Sequence, residues 1–152
     1  MEPANLPKQP VLRAACARRR VLNLFAYTAG FGAAAAAGGA TCTVNVDNKG
    51  ACLAAGRENY RLNGLAEQDD DRTFCTRDAV RFLKLAAKSK KPEDRFGLVV
   101  SDPPPAFGRQ RGASAWEFTA ERDFGRLLAL CLAARLRPPF ASPLKNCRAW
   151  LL

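Results

Sequence analysis

Short apolar runs recur along the chain, each ending in glycine, aspartate or proline and followed by a stretch with helical spacing. Val21–Phe25, Thr41–Val46, Arg72–Thr76 and Phe96–Ser101 are short and apolar or β-branched, which predicts four strands. Between them lie predicted helices. Ala33–Gly39 carries only small side chains, suited to close packing on a sheet. Lys49–Leu62 has helical periodicity, and Asn63-Gly64 supplies a C-terminal stop. Ala79–Lys88 follows Asp78, which can cap it. Ser114-x-x-Glu117 has the form of a capping box and predicts a helix from there to about Leu136. Leu12–Arg20 predicts a short basic helix ahead of the first strand, and Ser89–Asp94 a polar loop.

The order β-α-β-α-β-α-β-α predicts an α/β fold with a mostly parallel sheet flanked by helices. At 152 residues the chain suits one domain, and neither repeat nor linker divides it. The pattern fades after Leu136. A fifth strand of about five or six residues is due there, yet the chain reads Arg137-Pro138-Pro139-Phe140-Ala141-Ser142-Pro143-Leu144. Three prolines leave little room for a central strand. The C-terminal strands are therefore expected to be missing or degraded.

Hydrophobic residues make up 48% and charged residues 25%, enough for a core in a soluble protein. No apolar run is long enough to span a bilayer, and Met1–Pro10 is polar, unlike a signal peptide. Lysine and arginine number 24 against 14 acidic residues, a formal charge of +10. The cations cluster at Arg13 and Arg18–Arg20, from Lys84 to Arg95, and at Arg109 with Arg111. Each cluster alone suits a solvated face; together they point to a polyanionic partner. The six cysteines (Cys16, Cys42, Cys52, Cys75, Cys131, Cys147) form no C-x-x-C pair, and histidine is absent. No zinc site is expected, and reduced cysteines fit a cytoplasmic protein.

The chemistry gathers where strands end. Asp102-Pro103-Pro104 cuts off the fourth strand, since proline cannot continue it, and Phe107 follows. A carboxylate and a ring on a stiff loop suit a planar, nitrogen-bearing substrate; a plain proline-rich loop is the alternative. Gly30-x-Gly32-x-x-Ala35 follows the first strand, where glycine lets backbone approach a ligand and a helix N-terminus offers free N–H groups. Asp47 closes the second strand, placed to accept from ribose hydroxyls. Asp78 closes the third and can meet an adenine amino group. Singly these are ordinary turn and cap residues. On successive strands they describe a nucleoside site along one sheet edge.

Val21-Leu22-Asn23-Leu24-Phe25-Ala26-Tyr27-Thr28-Ala29-Gly30-Phe31 resembles the first motif of class I S-adenosylmethionine-dependent methyltransferases. The resemblance is to the Rossmann-like group that modifies bases of 23S ribosomal RNA, which typically reads V-L-N-L-F-x-Y-T-G-G-F. Val46-Asp47, Ala55-x-x-Glu58-Asn59-x-x-Leu62-Asn63-Gly64, Asp78, Ser101-Asp102-Pro103-Pro104 with Phe107, Glu121-Arg122-Asp123 and Asn146-x-Arg148-x-Trp150 extend it over nearly the whole chain. It implies an S-adenosylmethionine site at Tyr27, Thr28, Gly30 and Gly32, with Asp47 at the ribose and Asp78 at the adenine. Asp102, Pro103, Pro104 and Phe107 would face the target base of ribosomal RNA. The Glu-Arg-Asp and Asn-x-Arg-x-aromatic strings resemble guanine-N7 methyltransferases more than cytosine-C5 ones. The latter chemistry needs an attacking thiolate, for which Cys147 is the candidate. A non-catalytic RNA-binding remnant is a third reading, and an NAD dehydrogenase leaves Asp-Pro-Pro unexplained. Three departures stand out. Ala29 replaces a glycine, an extra residue separates Asp102 from Phe107, and the family's RNA-binding domain is missing.

Overall fold

The computed structural model describes residues 15–65, 72–91, 95–104, 106–107, 118–134 and 150–151. Strands β1 (Arg20–Leu24), β2 (Cys42–Asp47), β3 (Arg72–Thr76) and β4 (Leu98–Ser101) alternate with helices α1 (Gly30–Ala37), α2 (Gly50–Leu62) and α3 (Ala79–Lys88). Then come β5 (Ala106–Phe107), β6 (Phe118–Thr119), α4 (Ala120–Ala133) and β7 (Trp150–Leu151). The main sheet has the order β3-β2-β1-β4-β7, and every pairing in it is parallel. Parallel neighbours need crossovers, which the intervening helices supply. The strand order reverses between β1 and β4, so the crevice for a ligand opens at their C-terminal ends.

Alternation along the strands assigns the two faces. Leu22, Leu24, Cys42, Val44, Val46 and Val99 pack with Val80, Leu83, Leu127 and Cys131 from α3 and α4. On the other face Val21, Leu98 and Val100 meet Ala34 and Ala35 of α1, while Ala33 and Ala36 meet Tyr60 of α2. The run of alanines brings α1 close to the sheet, as its small side chains predict.

Several boundaries differ from the sequence expectation. The first helix is over by Cys16: Arg18 turns at φ 57°, and Arg20 already belongs to β1. Backbone bonds from Arg18 N–H to Gly39 O (2.8 Å) and Thr41 N–H to Arg19 O (2.9 Å) hold this turn beside the end of α1. Helix α1 starts three residues early, at Gly30, because Ala29 in a left-handed conformation already directs its carbonyl to Ala33 N–H. Helix α4 starts at Ala120 rather than near Ser114, which with Glu117 lies outside the described residues. Thr119 precedes it in β6, a strand paired antiparallel with β5 through Phe107 and Phe118. The place beside β4 is taken by β7, two residues long, with Val100 opposite Trp150 and Ser101 opposite Leu151. The proline-rich run at 137–144 lies outside the described residues.

Candidate functional site

The loop from β1 to α1 is held in an unusual backbone conformation. Phe25, Tyr27 and Ala29 have φ of 54°, 48° and 57°, the left-handed region that favours glycine. Such residues cost roughly 1–3 kcal/mol each and persist where the surroundings fix them. Asp47, at the end of β2, anchors the middle of this loop. Its Oδ2 accepts from Tyr27 N–H and its Oδ1 from Lys49 N–H, both at 2.9 Å. Ala26 N–H donates to Val46 O (3.0 Å), and Asn59 Nδ2 donates to Thr28 O (3.3 Å). One carboxylate thus ties the first strand-to-helix loop to the second. A carboxylate has about four lone-pair sites, so Asp47 keeps acceptor capacity for a ligand hydroxyl.

The crevice is a cavity of about 660 Å³, lined by Phe25, Tyr27, Val46, Asp47, Asn48, Lys49, Asp78, Ala79 and Asp102 to Pro104. All come from the C-terminal end of β2 or from the segments that follow β1, β2, β3 and β4. Tyr27 stands 65% exposed at its rim. Asp78 caps α3, accepting from Arg81 N–H at 2.8 Å as expected. Three carboxylates face one ammonium here, in a chain whose formal charge is +10. An acidic pocket on a basic protein suits a cationic ligand.

The expected site residues divide. Tyr27, Asp47, Asp78, Asp102, Pro103 and Pro104 come together around the cavity, while Thr28, Gly30 and Gly32 are not among its lining residues. Gly30 opens α1 with nothing within 4 Å of the position its Cβ would take, so its backbone is approachable. Gly32 is turned the other way and is buried. A Cβ there would collide with Asn45 Oδ1 and stand 2.6 Å from Tyr60 Oη. The structure therefore gives Gly32 a packing role that the glycine string alone does not reveal. Phe107 lies in β5, and its ring falls outside the described part of the structure.

Sequence reading missed the polar network beneath α1. Asn23 Nδ2 donates to Asn45 Oδ1 (2.9 Å), Asn45 Nδ2 to Tyr60 Oη (3.0 Å), and Thr43 Oγ1 shares a bond with Tyr60 Oη (3.0 Å). All four are at most 2% exposed. The available signal was polar residues, Asn23, Thr43 and Asn45, at alternate positions within strands that are otherwise apolar. Gly56 was missed as well: a Cβ on it would lie 3.1 Å from Ala29 Cβ, so its absence lets α2 approach the strained loop.

Glu121-Arg122-Asp123 occupies the first turn of α4. Asp123 Oδ2 accepts from Thr119 N–H at 3.1 Å and from Arg122 at 2.7 Å. The Arg122 guanidinium, then the Thr119 amide, hold its carboxyl below the usual range. Burial pushes the Cys131 thiol up to about 11, so it stays protonated at neutral pH. No described cysteine lines the cavity, and Cys147 lies outside the described residues.

Known proteins share the fold and family features of this chain. A family model described as S-adenosylmethionine-dependent methyltransferase matches residues 5–138. Ribosomal RNA large subunit methyltransferase I of Aeromonas hydrophila is 43% identical over 86 residues, covering 57% of this chain and 20% of that protein. Ribosomal RNA large subunit methyltransferase K/L of a Shewanella species is 32% identical over 114 residues, 75% of this chain and 15% of that protein. The chain thus spans a fifth or less of these relatives' length. Among solved structures, a SAM-dependent methyltransferase from Agrobacterium tumefaciens superposes with a TM-score of 0.67 at 25% identity, covering 84% of this chain and 38% of that one. The protein SMU.776, assigned as a methyltransferase and solved with SAH, gives 0.70 at 27% identity, covering 83% and 31%.

Proposed function

The chain belongs to the S-adenosylmethionine-dependent methyltransferase family, and from that premise we propose that it carries the catalytic site of an enzyme methylating a base of large-subunit ribosomal RNA, at guanine N7. The observation that carries the reading is convergence. Asp102-Pro103-Pro104 from β4 opens into the same cavity as Asp47 and Asp78 from β2 and β3. The ribosomal substrate is supported by the names of the relatives. The atom is supported by the Glu121-Arg122-Asp123 and Asn146-x-Arg148-x-Trp150 strings.

The residues present fit the cofactor. Asp47 retains acceptor capacity for ribose hydroxyls, Asp78 stands where an adenine amino group can donate to it, and the excess of carboxylates suits a sulfonium cation. Tyr27 and the approachable backbone at Gly30 complete the cradle, with Thr28 held behind them by Asn59. When bound, the cofactor supplies a methyl group already activated by its positive sulfur.

Guanine N7 carries a free lone pair, so no group has to remove a proton from it. The protein's task is then to hold the base in line. Asp102 accepts from the amino or imino hydrogens of the base, and backbone carbonyls of the proline loop assist. Phe107 takes the stacking role, a contact worth about 1–3 kcal/mol where bases stack on aromatics. The target base must be unpaired or flipped out.

The test is transfer of labelled methyl groups to ribosomal RNA, followed by digestion to nucleosides. Asp102→Ala is expected to abolish transfer while leaving cofactor affinity intact. Cys147→Ala is expected to have no effect, because N7 chemistry forms no adduct with a thiol. Recovery of label in 5-methylcytidine, or full activity of Asp102→Ala, overturns the assignment.

A further inference from the structure

Helix α3 carries its cations on one side. Arg81, Lys84 and Lys88 are exposed and lie within about a sixth of a turn of one another at about 100° per residue. Exposed Arg77 precedes them in the chain, next to Asp78, and Lys90 and Lys91 continue the exposed basic series past the helix end. Among the described residues none of these six forms an ion pair; the salt bridges are Arg61–Glu58 and Arg122–Asp123. The stripe therefore presents its charge to solvent, over a helix about 15 Å long.

A second feature runs alongside it. A groove of about 310 Å³ is lined by Arg20, Arg77, Phe82, Leu85 and Phe96 among others. Leu85 is 51% exposed on the same side as Lys84 and Lys88, an apolar residue set among cations. Arg20 lies with its guanidinium 5.8 Å from the centre of the Phe96 ring, and its Nε–H is buried with no acceptor. Buried donors are normally paired, and this one lies unpaired beside the Phe96 ring. Cations that track a backbone, beside an apolar slot with aromatic walls, are the elements of single-strand recognition.

We infer that α3 and the groove beside it form a docking face for a single-stranded segment of the RNA substrate, with phosphates on Arg81, Lys84 and Lys88 and one unstacked base against Phe82 and Leu85. The inference rests on the ribosomal-RNA reading above. Duplex RNA fits it less well, because stacked bases offer nothing to the groove. Asp78 and Ala79 at the N-terminal end of α3 line the cavity, so one end of this face adjoins the proposed cofactor side of the site.

The test is fluorescence anisotropy with a short labelled single-stranded RNA and with its duplex, across about 50 to 200 mM salt, the range where phosphate contacts show. Each phosphate contact to a single strand contributes about 0.7 to the slope of log affinity against log salt, so Lys84→Gln/Lys88→Gln should lower the slope by about 1.4. Arg57→Gln/Arg61→Gln on α2 removes the same charge and should leave the slope unchanged. Leu85→Glu should weaken single-strand binding. Cofactor titration and circular dichroism of each variant report folding. Equal slopes for the α3 and α2 pairs, unaltered binding by Leu85→Glu, or preference for the duplex overturns this face while leaving the RNA reading standing. A wild-type chain that binds cofactor but no RNA overturns both.

Discussion

Gly30 and Gly32 sit two residues apart in one helix and do different work. The first offers open backbone at the start of α1, and the second leaves room for Asn45 and Tyr60. An alanine methyl at Gly32 must displace a buried, hydrogen-bonded side chain. Overpacking costs roughly 1–3 kcal/mol, and a buried polar group left unpaired costs about as much again. Gly32→Ala should therefore lower stability by about 2–6 kcal/mol on these figures, read as a lower denaturant midpoint with an unchanged slope. Gly30→Ala meets nothing, and alanine exceeds glycine in helix propensity by up to ~1 kcal/mol. That variant should be as stable as wild type or more so, yet bind S-adenosylmethionine more weakly. Equal stability losses in both would mean that Gly32 has no special packing duty. A similar balance explains Ala29. Its left-handed backbone costs a non-glycine residue roughly 1–2 kcal/mol, while its fully buried methyl returns about 0.8 kcal/mol. Alanine is tolerated at this left-handed position because these magnitudes are close.

At the scale of elements, α4 shows how a helix start is chosen. Ser114-x-x-Glu117 has the sequence form of a cap, but the helix begins after Thr119, where Asp123 reaches back to the Thr119 amide. The Asp123 carboxyl is held below its ordinary value of 3.8, first by Arg122 and then by this amide. A lowered folded value means that the stabilisation is present above the ordinary value and is lost as pH falls through the folded one. Acid titration below pH 3.8 should thus loosen the first turn of α4, seen as faster amide exchange at Thr119. Asp123→Asn should show that faster exchange already at neutral pH and lose its pH dependence. An acid response equal in both proteins would remove Asp123 from this role. The four longer strands were legible because each is a short apolar run with a hard stop, and α3 because Asp78 caps an amphipathic run. The pairing of β5 with β6 and the two-residue β7 were not, because so short a strand has no period to read. The left-handed turn at Arg18 escaped for another reason: tertiary bonds to Gly39 and Thr41 override the helical propensity of the basic run.

The whole molecule brings opposite charges to different places: a basic exterior and an acidic cavity at the reversal of strand order. Asp47, Asp78 and Asp102 were legible as one edge because parallel strands send all their C-termini the same way. What linear sequence hides is that Asp47 also holds the strained loop, a bond between residues 20 positions apart. Binding of cofactor to this edge should therefore be felt by the entire fold. A ligand at 100 times its dissociation constant stabilises the folded state by about 2.7 kcal/mol. For a chain of this size each kcal/mol moves the melting temperature by roughly 2–4 °C, so saturating S-adenosylmethionine should raise it by about 5–10 °C. Asp47→Ala loses a hydrogen bond to the ligand and the tie to Tyr27 and Lys49 together. It should lower the melting temperature without ligand and also abolish most of the shift, since a bond involving a charged group contributes about 1.5–3 kcal/mol. Asp102→Ala should melt like wild type and keep the full shift, because that carboxylate is assigned to the base and not to the cofactor. A lost shift in Asp102→Ala would move this residue to the cofactor side of the site. A full shift in Asp47→Ala would mean that the second strand end has no part in binding.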